Sequence, residues 1–140
     1  MHPELNAALA PLLADLQVPS GVAPTVDDRE WQDFPGAASC WLHSPDGTGM
    51  GVWVQTGQPF TAQVLALAEQ VHEWAVEALW KLERSASWPA CPHHPDRHPL
   101  VAREHDSQGI WVCPVLNTKV ATIGALADFR IRKRHLRGRT

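Results

Sequence analysis

The sequence predicts an α+β fold, on three observations. Leucines recur every three to four residues near the N-terminus. A longer apolar stripe of the same period runs through 61–84. Around these lie short stretches with the period-two pattern and turn residues of β-hairpins. The chain has 140 residues, the length of one domain. With 44% hydrophobic and 19% charged residues it can fill a core, which excludes wholesale disorder.

The first helix is read over Pro3 to Gln17, from Leu5, Leu9, Leu12, Leu13 and Leu16. Pro3 suits a first turn, but Pro11 does not suit an interior. A kink is therefore expected, or a short turn with the main helix starting near Ala10. Val18-Pro-Ser-Gly21 ends the helix. The acidic stretch 25–36 has no clear period and suggests no regular element. Two strands follow, Ala37 to Leu42 and Gly51 to Gln55, joined by the turn formers of 43–50. Val52 and Val54 are placed on one face and Trp53 on the other. Cys40 reads as a small buried thiol.

The strongest element is a helix over Thr61 to Arg84, preceded by Pro59 and capped by Thr61. Val64, Leu67, Val71, Trp74, Ala75, Ala78 and Leu82 form its stripe, widened by Leu65, Leu79 and Trp80. Glu77 and Lys81 can pair one turn apart. His72-Glu73 opens like a His-Glu-x-x-His zinc motif, but Val76 stands in the fifth place, so His72 is read as a surface or boundary residue.

Beyond 85–89 the composition turns to Pro, His and Cys: Trp88-Pro-Ala-Cys91-Pro-His93-His94-Pro-Asp-Arg-His98-Pro-Leu100, then Ile110-Trp-Val-Cys113-Pro114. Cys91 and His94 have the spacing of a tight metal knuckle. His98 follows four residues later, and a hairpin turning at 106–109 returns Cys113 to the same end. Two thiolates and two imidazoles make a soft tetrahedral set, suited to structural Zn²⁺ rather than Ca²⁺ or Mg²⁺. His93 can replace His94 as ligand or face solvent. Prolines after all four ligands stiffen the loops. The fold is thus completed by a zinc-stapled C-terminal β-hairpin, with Lys119 to Ile123 as a further short strand.

The pattern W-P-x-C-P-x-H…H-P-L…W-x-C-P resembles a zinc-ribbon-like hairpin of small uncharacterised bacterial proteins, over 88–124. The resemblance implies zinc and a hairpin and names no activity. The expected organisation is one α+β domain over 1–128 that includes this module, followed by a basic tail.

That tail, 129–140, holds Arg130, Arg132, Lys133, Arg134, Arg137 and Arg139 and no acid. Residues 1–128 hold the other six basic and all 15 acidic side chains, a net −9. Such a body is a poor surface for phosphates, so contact with nucleic acid, an acidic protein or anionic lipid falls to the tail. The odd count of three cysteines and the absence of a basic leader point to a reducing, cytoplasmic setting without disulfides. No 18-residue apolar run is present to span a membrane.

Three functions compete. The first is a non-catalytic protein-interaction or assembly component, favoured because seven tryptophans are hard to bury in so short a chain. The second is a nucleic-acid-binding accessory protein acting through the tail. The third is a small metal-dependent hydrolase or nuclease, with Glu104 as base, or with His98, His105 and Asn117 in a His-Asn-His arrangement. The deaminase, phosphate-loop, nucleophile-elbow and dinucleotide signatures are absent, so no catalytic residue is assigned.

Overall fold

The computed structural model describes residues 1–31 and 34–128. The tail at 129–140, with all six of its cations, lies outside the described residues. The elements run α1 (Pro3–Leu16), β1 (Thr25–Asp27), β2 (Ala37–His43), β3 (Gly49–Gln55), α2 (Phe60–Lys81), β4 (Val101–His105), β5 (Gln108–Cys113) and β6 (Thr118–Thr122). A helical turn follows at 126–128. The strands form two antiparallel three-stranded sheets, ordered β1-β2-β3 and β4-β5-β6. The fold is α+β, as the periodicities predict.

The first helix begins at Pro3 and passes through Pro11 without a second start, so of the two expected outcomes the main helix starting near Ala10 is not found. Pro11 removes one helical hydrogen bond. The leucine face offsets that loss: Leu5, Leu9, Leu12 and Leu16 are all buried. His2 caps the helix, its Nδ1 accepting from the Glu4 amide at 3.1 Å. Beyond the helix the chain doubles back so closely that a Cβ on Gly21 would overlap the Leu16 carbonyl.

The acidic segment contains a strand that periodicity did not reveal. β1 has three residues, too few to show a period, and it pairs Val26 with Leu42. Past it, Trp31 lies over Gly51, where any side chain would collide with the indole. Its Nε1 donates to the Cys40 carbonyl at 2.9 Å and the Val52 carbonyl at 3.2 Å. In the β2–β3 pair, Cys40 stands opposite Val52 and Ala38 opposite Val54. All four are buried, while Trp53 on the opposite face is exposed.

α2 packs against α1, β3, β4 and β5, and so joins the two sheets. Most of its predicted stripe is buried, from Val64 to Leu79, but Leu82 and Trp80 are exposed. The helix stops before Leu82 because Glu83 takes a left-handed conformation, φ 56°. The Glu83 amide then bonds the Trp80 carbonyl and the Arg84 amide the Leu79 carbonyl, a Schellman-type end. Thr61 is not the cap. Pro59 holds that place, and the Thr61 hydroxyl instead donates to the Ser107 carbonyl at 2.6 Å, tying α2 to the β4–β5 turn.

The first helix and the stretch after β6 meet at Asp15, a buried carboxylate. Its Oδ2 accepts from Trp111 Nε1 at 2.7 Å and the Gly124 amide at 2.6 Å. Its Oδ1 accepts from the Leu126 amide at 3.1 Å. The Asp15 main-chain carbonyl takes the Trp88 indole N–H at 3.0 Å.

Candidate metal centre

Two turns face one another at the end of the second sheet. In the first, Cys91-Pro-His-His94, the His94 amide bonds the Cys91 carbonyl at 3.2 Å. A second bend, with Asp96 at φ 65°, carries the chain to His98. The opposite turn starts where β5 ends. Asn117, at φ 53°, returns its amide to the Cys113 carbonyl at 2.8 Å. Below them Trp88 and Trp111 meet edge to face, ring centres 5.7 Å apart, and give the turns a rigid floor.

These turns gather Cys91, His94, His98 and Cys113, with one ligand atom from each lying within 4.8 Å of every other. His94 Nδ1 is 3.7 Å from Cys91 Sγ, 3.6 Å from Cys113 Sγ and 3.0 Å from His98 Nε2. Cys113 Sγ lies 4.0 Å from His98 Nε2. Zinc–sulfur and zinc–nitrogen bonds of ordinary length, set tetrahedrally, give edges of about 3.6 Å between S and N and about 3.3 Å between two N. The three distances from His94 Nδ1 match those edges to within a few tenths of an ångström, and the four donors together are close enough to share one metal ion.

The surroundings prepare these atoms for that role. His98 Nδ1 faces the Pro99 carbonyl at 3.0 Å, which places the ring proton there and leaves the Nε2 lone pair for a metal. The Leu116 amide points at Cys113 Sγ at 3.5 Å. Burial tends to raise the Cys113 thiol, but the Leu116 and Val115 amides and the Cys91 thiol outweigh it and bring it below the ordinary value. At Cys91 burial prevails over the His93 and His94 amides and the thiol is raised. Both cysteines are buried and free of disulfide, and the two histidines are half-buried.

His93 is exposed and stands outside the cluster, so His94 is the inward member of the pair. Glu104 and His105 lie exposed on β4, outside the cluster; His105 Nε2 is 3.3 Å from Asp106. Asn117 serves the turn. His72 bonds the Trp88 carbonyl through Nδ1 at 2.8 Å and so braces the segment leading to Cys91, a role its surroundings in the sequence did not signal. Among the described residues no helix is long and apolar enough to cross a membrane. Neither family models, nor curated proteins, nor solved structures give a match to this chain, and the zinc-ribbon-like resemblance rests on the residues of 88–124 alone.

Proposed function

We propose that the chain is a non-catalytic component that binds other proteins and owes its C-terminal third to a structural zinc ion on Cys91, His94, His98 and Cys113. The observation that carries the zinc is the closed S₂N₂ set at tetrahedral spacing. Four protein donors fill the coordination shell and leave no place for a reactive water, whereas a catalytic zinc keeps one open. When bound, the ion supplies cross-linking and charge neutralisation of two thiolates. The chain's own residues do the rest: the knuckle amides hold the sulfurs, and the Pro99 carbonyl fixes the His98 ring.

The binding role is supported by indoles left at the surface. Trp80 is 73% exposed, Trp53 40% and Trp31 37%. Tryptophans so placed are typical anchors of protein interfaces.

Elemental analysis of the purified chain should find one zinc per molecule. Chelation, or His98→Ala, should remove the near-ultraviolet dichroism of Trp88 and Trp111 together with the fold of the second sheet. A metal-free chain with that sheet intact would overturn the structural role. Retained fold with lost hydrolytic turnover would favour a catalytic centre instead.

A further inference from the structure

A groove follows the outer side of α2 where it meets β4. Its first stretch, about 570 Å³, is walled by Leu65, Ala68, Glu69 and Glu73 on the helix, faces Leu100 and Glu104 on the sheet side, and is floored by Trp111. Past His72 and Glu73 it opens into a second hollow of about 550 Å³ that ends at Glu77 and Trp80. From Leu65 to Trp80 the helix rises about 22 Å. That length accepts six or seven extended residues at about 3.3 Å each. β4 pairs with β5 on one side and has no strand on the other among the described residues, so its outer edge can receive an added strand.

The groove is acidic. Glu69, Glu73, Glu77 and Glu104 are all exposed along it, and Arg103 is the one lysine or arginine among the residues that line it. The chain's own segment 129–140 has the complementary charge, six cations and no acid, and opens Phe-Arg-Ile-Arg with apolar and basic residues alternating. The groove is also within its reach. The Leu126 amide is bound to Asp15, whose other carboxylate oxygen holds the Trp111 indole, and Trp111 floors the groove. Twelve further residues reach up to about 40 Å. A tether of that reach gives a docking segment an effective concentration in the millimolar range.

We propose that this groove is the docking site of the chain's own basic segment, 129–140, which covers Trp80 and the acidic wall until a partner's basic segment displaces it. The proposal extends the protein-binding reading and is independent of which metal fills the Cys/His cluster.

The test uses the full-length, metal-loaded chain with fluorinated tryptophan, the Trp80 resonance being assigned with Trp80→Phe. Replacing Arg130, Arg132, Lys133 and Arg134 by Gln in the full chain should shift the Trp80 signal. A synthetic peptide of residues 129–140 added to that variant should restore it saturably, about tenfold more weakly at 500 mM than at 50 mM salt. Glu69→Lys with Glu73→Lys, both on the exposed side of α2, should abolish the restoration while leaving the dichroism of Trp88 and Trp111 unchanged. An identical Trp80 signal in the native and Gln-substituted chains would overturn the proposal. So would peptide binding that survives the charge reversal, or a native Trp80 signal that changes on dilution, which would identify a second copy as the occupant. Zinc content stays at one per chain in every arm, so failure here is distinct from failure of the metal reading.

Discussion

Asp15 brings a carboxylate into a place that water does not reach and meets three N–H donors there. Burial raises its pKa, and the bonds from Trp111, Gly124 and Leu126 offset only part of that rise. The protonated form is therefore favoured by folding. That contribution is complete below the unfolded value of about 3.8 and is lost as pH rises through the higher folded value. Asp15→Asn keeps the shape but turns an NH₂ group towards a donor. It should cost about 2 kcal/mol, with the larger loss at the acid end, as read by denaturant unfolding across pH. Cys40 is the second residue whose surroundings set its chemistry. Burial, with Asp27 and Asp28 nearby, pushes its thiol up to about 11. A thiol reagent at neutral pH should leave all three cysteines of the metal-loaded chain unmodified. After chelation it should modify Cys91 and Cys113, with Cys40 reacting only on unfolding; mass spectrometry counts the adducts.

At the scale of elements, local signals were legible and distant ones were not. Val52 and Val54 announced the buried face of β3, and the leucines announced α1 despite Pro11. The knuckle spacing of Cys91 and His94 with the return of Cys113 announced the cluster, because three ligands sit within eight residues and one short hairpin carries the fourth back to them. β1 escaped notice because its order comes from β2, not from its own three residues. Thr61 was misread as a cap because its partner, Ser107, is 46 positions away. The turn after α1 shows how tightly elements are joined. Gly21→Ala would drive a methyl into the Leu16 backbone, which cannot step aside as a side chain would. We expect a loss of about 1–3 kcal/mol, seen as a lower thermal midpoint, with zinc content unchanged.

At the scale of the molecule, α2 is the shared wall of two small sheets, neither of which has a core of its own size. The metal cluster and the Asp15 hub brace the second sheet side by side, through Cys113 and, two residues earlier on β5, through Trp111. The hub was illegible in the sequence because it joins positions 96 to 111 residues apart, a separation that no periodicity or motif reports. That separation has a consequence during synthesis. A ribosome adding about 5–20 residues each second makes Asp15 roughly 5–20 s before Gly124 and Leu126. For that interval the nascent N-terminal helix has its leucine stripe but not the amides that receive its carboxylate. The leucine face of that helix can meet α2 and the first sheet well before then, so its packing precedes the neutralisation of its one buried acid, which waits until translation has passed Leu126.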